Sequence, residues 1–157
     1  MRKLLISLIM IAALGAGGAF AQTGYWAGVS GGYPTAQVHF GVENVLAGLD
    51  VRGNLSFGYF GFLEVGASVL YDLGLDTGDV PINVYVGGGP SVGLAFAGAF
   101  VATVELLAGA EYRLSDVGLP QGGVFLELGP AYRYVGVAGF GFGGFGANGR
   151  LGFNWHF

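Results

Sequence analysis

Residues 49–59 read LDVRGNLSFGY, and apolar and polar side chains alternate along this segment. One face comprises Leu49, Val51, Gly53, Leu55, Phe57 and Tyr59, and the other comprises Asp50, Arg52, Asn54, Ser56 and Gly58. Because successive side chains of a β-strand point to opposite faces, this period of two predicts a strand with one apolar face. Such a strand either packs its apolar face on a protein core or presents it to lipid around a polar lumen.

The same alternation recurs along the chain between turn signals such as GYPT, LDTGDVP, SDVGLPQGG and GFGFGG. We predict eight strands, at residues 24–32, 36–43, 49–59, 62–72, 82–91, 100–113, 124–134 and 145–157. Glycine interrupts every window that could form a helix in this part of the chain. We therefore expect one all-β domain over residues 22–157, without a linker.

The composition separates membrane barrels from most other classes of protein. Charged residues make up 10% of the chain, whereas a typical soluble domain has about 25%. Hydrophobic residues make up 53%, and 33 of the 157 residues are glycine. After the N-terminal segment, no apolar run approaches the ~20 residues that a membrane-spanning helix needs. Hydrophobicity that is spread out by alternation is typical of a transmembrane β-barrel.

The N-terminal segment reads MRKLLISLIMIAALGAGGAFAQTG and has the three parts of a secretory signal peptide. Arg2 and Lys3 form a basic start, residues 4–14 form a short apolar run, and Ala19-Phe20-Ala21 forms a small-x-small cleavage site. We predict a cleavable signal peptide helix at residues 1–21, with an uncleaved anchor helix as the alternative. The chain has no cysteine, so disulfides play no part in the exported protein.

Where a predicted strand carries charged side chains, they fall on its polar face. If the apolar faces point outward, the inward set comprises Arg52, Arg113, Arg133, Arg150, Glu43, Asp50, Glu64, Asp72, Glu105, Glu111 and Glu127. After residue 21 four arginines, no lysine and ten acids remain, a formal charge of −6, and this excludes a basic patch for nucleic acid. A soluble sheet also collects its charges on one wet face, so an exported soluble β-barrel or sandwich that binds an apolar ligand is the alternative.

Aromatic residues at the strand ends favour the membrane interpretation. With the N-terminus in the periplasm, one predicted rim carries Tyr25, Tyr71, Tyr112, Trp155 and Phe157, and the other carries Tyr59, Phe62, Phe100, Tyr132 and Phe145. Two such girdles flank the apolar band of transmembrane barrels. An eight-stranded transmembrane barrel fits the length, because a spanning strand needs ~9–11 residues and its sheet must close in lipid.

The signal peptide, the eight alternating segments and the terminal NWHF resemble small bacterial outer-membrane barrels of the OmpA/OmpX-like, eight-stranded type. The resemblance implies an antiparallel up-and-down barrel in the outer membrane of a diderm bacterium, surrounded by lipid and monomeric. It also implies that Phe153, Trp155 and Phe157 match the terminal aromatic signal that the barrel-assembly machinery reads during biogenesis.

Several short motifs suggest chemistry that their context does not support. Gly141, Gly143 and Gly146 satisfy G-x-G-x-x-G, but a nucleotide site also needs a following helix and a distant acid. The acidic turn with Asp72, Asp76 and Asp79, and the histidines His39 and His156, lack the spacing of metal ligands. We predict no metal site, no cofactor and no catalytic residues.

A barrel-type lipid-modifying enzyme is a weaker alternative. Such an enzyme needs a serine nucleophile, a histidine and an orienting group. His39 shares the predicted lumen with Ser30, Ser56 and Ser68, whereas these enzymes present their catalytic residues toward lipid. We therefore predict that the protein is not an enzyme.

The inward charges are the most informative candidates. Arg52, Glu105, Glu127 and Arg150 fall near mid-height, and the interior of an eight-stranded barrel is just wide enough for side chains to fill it. Because an unpaired buried charge is costly, we predict an ion network that largely closes the lumen. The predicted role is structural in the envelope, or passage of a small solute or an apolar ligand, and the same network could act as a gate.

Overall fold

The structure is a computed structural model that describes residues 24–75, 77–95, 98–137 and 139–157. Eight strands form one closed antiparallel barrel in which each strand pairs with its sequence neighbours and β1 pairs with β8. They are β1 Tyr25–Tyr33, β2 Thr35–Leu46, β3 Leu49–Gly58, β4 Phe62–Asp72, β5 Ile82–Ala95, β6 Phe100–Arg113, β7 Gly122–Val137 and β8 Phe140–His156. The predicted all-β, up-and-down barrel of eight strands is confirmed, whereas the predicted signal peptide at residues 1–21 lies outside the described residues.

The strand register fixes how wide the barrel is. A line that starts at Gly31 on β1 and follows the paired residues through β2 to β7 reaches Gly141 on β8. Gly31 itself pairs with Leu151, so the register is offset by ten residues around the barrel. Eight strands with this offset tilt by about 40° and enclose an interior that side chains can fill.

One glycine-rich segment differs from the predicted strand boundaries. The segment GFGFGG, predicted as a turn, forms the start of β8, where Gly141 pairs with Gly136 and Phe142 with Val135. Glycine usually weakens a strand, but here the β7 ladder continues through it and the chain turns at Gly139 instead. Strands β7 and β8 therefore extend further than predicted toward the turn that joins them. Strand β5 also extends further than predicted at the same end of the barrel.

The outer face of the barrel is apolar and exposed. On β6, for example, Val104 and Leu106 are 57% and 64% exposed, whereas Thr103 and Glu105 are buried. No Asp, Glu or Arg side chain lies on the outward face of the described strands, as the alternation predicted. Among the described residues, no helix is long and apolar enough to cross a membrane.

The two ends of the barrel differ in their connections. We call the end that holds Tyr25 and His156 the base, and the opposite end the mouth. The mouth connections are residue 34 and residues 59–61, 96–99 and 138–139, whereas the base connections are residues 47–48, 73–81 and 114–121, the last with a 3-10 helix at Leu114–Val117. Small barrels usually have their longer loops away from the termini, so this barrel reverses the usual pattern.

Candidate functional site: the barrel lumen

Two arginines and two glutamates meet in the middle of the lumen. Arg52 on β3 donates from Nη1 to Oε1 of Glu127 at 2.6 Å, and Arg150 on β8 donates from Nη2 to Oε1 of Glu105 at 2.7 Å. The Nε of Arg150 also donates to Oε2 of Glu127, which joins the two pairs into one network. We call these four side chains the central network.

The register explains most of this arrangement. Glu127 and Arg150 lie directly opposite each other on β7 and β8, and Glu105 lies on β6, the next strand round. Arg52 is different, because its partner Glu127 is on the far wall rather than on a neighbouring strand. An eight-stranded barrel is narrow enough for one arginine side chain to reach across it.

The central network is almost fully removed from solvent. Arg52 and Glu127 are each 1% exposed, and Arg150 and Glu105 are 5% and 7% exposed. The Tyr85 hydroxyl donates to Glu127 at 2.8 Å, in addition to the two arginines. Because these donors compensate the carboxylates and the four charges cancel, the network lowers the cost of burying them.

Below the central network, large apolar side chains fill the base half of the lumen. The inward set is Trp26, Leu70, Tyr85, Leu107 and Phe125, all at least 94% buried. The sequence analysis missed them because it assigned apolar residues to the outer face. Glycines on the neighbouring, paired strands give a usable signal, since Gly109 pairs with Tyr85 and a Cβ on Gly109 would lie 2.6 Å from the Tyr85 ring. Each large inward side chain needs such a gap, as a narrow lumen cannot hold two of them side by side.

A second polar network lies at the base. His156 contacts Oε1 of Glu43 through Nδ1 and Oε1 of Glu111 through Nε2, both at 2.7 Å. Asn154 connects Glu111 to His39, whose Nε2 lies 2.8 Å from Oδ1 of Asn154. His39 has no hydrogen bond to a serine among the described residues, so the geometry brings no serine hydroxyl to an imidazole.

A third polar group lies at the mouth. Arg133 donates from Nε to Oγ1 of Thr103 at 3.0 Å and lies 3.5 Å from Glu64, while its guanidinium carbon lies 4.6 Å from the centre of the Phe62 ring. Phe62 shares the inward parity of Glu64 on β4, so its predicted place in the outward aromatic girdle is wrong. It stacks on a lumen arginine instead.

The remaining girdle residues define a band. Phe145 and Trp155 both lie on the outward face of β8, ten residues apart. At ~3.3 Å per residue and a tilt of about 40°, this spacing is about 25 Å along the barrel axis. The apolar band of transmembrane barrels has about the same height.

The predicted terminal signal residues lie together at the base. Phe153 and Trp155 point outward from β8 with ring centroids 6.4 Å apart. Phe157 follows the strand, is 75% exposed, and donates its backbone N–H to the Tyr25 carbonyl at 2.8 Å. The last residue is therefore joined to the first strand where the barrel closes.

The glycine-rich and acidic motifs lie apart from the central network. Gly141 and Gly143 are part of a strand, and Asp72 and Asp79 border an exposed base loop, while Asp76 lies outside the described residues. Within the described part of the chain, no group of three or more His, Cys, Asp or Glu side chains could hold a metal ion.

No protein-family model matches the chain, and no curated protein matches its sequence. Two solved structures are similar over 86% of it: the crystal structure of Neisserial surface protein A and that of the N-terminal β-barrel domain of Pseudomonas aeruginosa OprF. The first is 16% identical with a TM-score of 0.53 over 94% of its own chain, and the second is 10% identical with a TM-score of 0.53 over 96%. Both are eight-stranded outer-membrane barrels, and at these identities this chain shares their fold.

Proposed function

We propose that the protein is a structural outer-membrane β-barrel whose lumen is closed by the central network. The observation that carries this proposal is the buried chain of ion pairs from Arg52 through Glu127 and Arg150 to Glu105. It joins β3, β6, β7 and β8 across the interior. Ion pairs that cross the interior bond the walls of the barrel to each other. They also leave no path for a solute.

The cavities inside the barrel support closure. The cavity on the mouth side of the central network measures about 10 Å³, and the one on the base side measures about 60 Å³. Such volumes hold one or a few water molecules, because a buried water needs ~10–15 Å³. Neither cavity has room for a sugar or an amino acid.

The outer surface supports placement in a membrane. The apolar outward face is exposed, carries no charge in the described strands, and lies between aromatic girdles about 25 Å apart. We further propose that residues 1–21 are a signal peptide, that Phe153, Trp155 and Phe157 are read by the barrel-assembly machinery, and that the barrel is monomeric in lipid. The soluble alternative requires an aqueous environment for this apolar face.

A liposome-swelling assay tests the closed lumen. The mature chain, refolded into vesicles, should produce no swelling in a small neutral sugar, because neither of the two cavities beside the central network accommodates one. A general porin in the same vesicles provides the positive control. Swelling at a rate proportional to the amount of inserted protein would contradict the proposal, and a mature chain that stays soluble without detergent would contradict membrane placement.

A gated, water-lined passage is the second candidate, and one observation favours it. Five buried polar atoms on β1–β3 have no hydrogen-bond partner among the described residues: Ser30 Oγ, Gln37 Oε1, His39 Nδ1, Arg52 Nε and Asn54 Oδ1. Buried polar groups of this kind usually bind ordered water. This side of the lumen would then conduct ions in brief openings when the central network breaks.

A further inference from the structure

The barrel wall has a lateral opening at the mouth, where β8 meets β1. Strand β1 ends at Tyr33, near its partner Gly149, but β8 continues to Phe140. Residues 140–148 therefore pair with β7 on one side and with no strand on the other. Because alternate residues of an antiparallel strand direct their backbone groups to each neighbour, about half of these N–H and C=O groups face the opening.

A cavity of about 300 Å³ lies behind this opening. We call it the seam pocket and define it by Tyr33, Pro34, Phe60, Arg133, Val135 and Phe142. Its wall on the β8 side is bare backbone at Gly144 and Gly146. The space beside these glycines is open, since a Cβ added at either would meet no atom within 4 Å. The volume is at the lower end of the ~300–1,000 Å³ that ligand pockets occupy.

The opening reaches the depth of the membrane. Phe145 lies on the outward face of β8 at the level of the mouth girdle, and Asn148 is three residues closer to the base. The unpaired edge therefore begins below the girdle, inside the apolar band. A ligand could enter sideways from lipid, a step that rests on the proposed membrane placement.

Arg133 gives the seam pocket a cationic floor. Its Nε donates to Thr103 and its Nη2 lies 3.5 Å from Glu64, while its Nη1 has no partner among the described residues. Oε1 of Glu64 accepts hydrogen bonds from Ser91 and Thr103, its Oε2 accepts the long bond from Arg133, and the Arg133 side chain is 25% exposed. A charged donor below an apolar wall fits a ligand with an anionic head and an apolar chain.

We propose that the seam pocket binds a single-chain amphiphile with a carboxylate headgroup, a fatty acid, which enters from the membrane. The chain packs on Phe60, Val135 and Phe142, and the carboxylate accepts a hydrogen bond from Nη1 of Arg133. One alkyl chain suits the small volume, whereas a two-chain lipid does not. An uncharged ligand without a headgroup offers no hydrogen-bond acceptor to Nη1 of Arg133.

Quenching of a tryptophan placed in the pocket tests this directly. A Phe142→Trp variant is refolded into vesicles and titrated with a bromine-labelled fatty acid, whose bromine quenches nearby indole. The natural Trp26 and Trp155 lie at the base, so the parent protein gives the background. We expect additional quenching that saturates at about one fatty acid per barrel.

Three further variants in the Phe142→Trp background identify the contacts. Arg133→Gln should weaken the fatty acid about tenfold or more, because a hydrogen bond to a charged group is lost, and should leave a bromine-labelled alcohol of equal length unchanged. Gly144→Leu should fill the pocket and abolish saturable quenching. Gly53→Leu is the matched control, because Gly53 lies on the outward face of β3 and its change should have no effect.

Four results would overturn the proposal: quenching that only follows total membrane bromine, equal affinity of the Phe142→Trp protein for acid and alcohol, no effect of Gly144→Leu, or equal quenching by a two-chain bromolipid. Vesicle flotation and the heat-induced gel shift of a folded barrel are measured on every sample. Protein that does not float contradicts membrane placement. Folded, floating protein without saturable quenching rejects the fatty-acid site alone.

Discussion

Side-chain direction along each strand could be predicted for charged residues but not for all apolar ones. Every charged side chain of the described strands has the predicted inward direction, because charge is excluded from an apolar face. Leu70 and Leu107 also point inward, although each is flanked by outward apolar residues in the sequence. A period-of-two pattern cannot separate an apolar residue that fills the lumen from one that faces lipid.

The first prediction concerns how deep an outward residue lies in the apolar band. Leu55 points outward near the middle of β3. Leu55→Arg should lower the free energy of unfolding by about 2–4 kcal/mol, because it places arginine at the midplane of the apolar band. Leu49→Arg, on the same face of the same strand at the base, should cost only ~0–1 kcal/mol. Urea titrations in lipid vesicles measure both, and equal losses would refute the outward assignment of this face.

The central network gives a second prediction at this scale. Arg150→Ala leaves Glu105 and Glu127 without their shared donor, so we expect a loss of about 3–5 kcal/mol in unfolding free energy if the site stays dry. Arg113→Ala is the control, because its side chain is 33% exposed and its ion pairs at the base are long, at 3.4 and 3.9 Å. We expect ~0–1 kcal/mol there. Similar losses in the two variants would show that the central network contributes no more than a surface pair.

At the scale of the strands, the sequence predicted which elements form better than where they end. GFGFGG was assigned to a turn because glycine is common there, but the β7 ladder carries β8 through it. The central network shows the same limit. Glu127 and Arg150 are on neighbouring strands, whereas the contact from Arg52 depends on the ten-residue offset, and alternation does not encode that offset.

The last strand gives the third prediction. Deletion of Phe157 should reduce the amount of folded, heat-modifiable barrel in the outer membrane, because it removes the terminal aromatic group and the hydrogen bond to the Tyr25 carbonyl. Phe157→Tyr retains both and should assemble normally. Comparing heat-modifiable protein in outer-membrane fractions separates the variants, and normal assembly after the deletion would argue against a role for this residue.

The whole molecule is a narrow closed barrel. At the mouth, its wall does not extend as far along β1 as it does along β8. Its interior has polar networks at the mouth, centre and base, with apolar side chains filling the base half. The short mouth connections leave the seam between β1 and β8 uncovered, and the longer loops project from the base. In the function we propose, the same side chains that join the walls also block passage along the axis.

Ion conductance across a planar bilayer tests this closure most directly. Wild-type protein, refolded and inserted as single barrels, should show no large steady conductance at moderate voltage, because the central network fills the lumen. Arg150→Ala should raise the conductance, since it opens the network while leaving the barrel wall in place, and Arg113→Ala should not. A large steady conductance in the wild type, unchanged by Arg150→Ala, would contradict a lumen closed by these ion pairs.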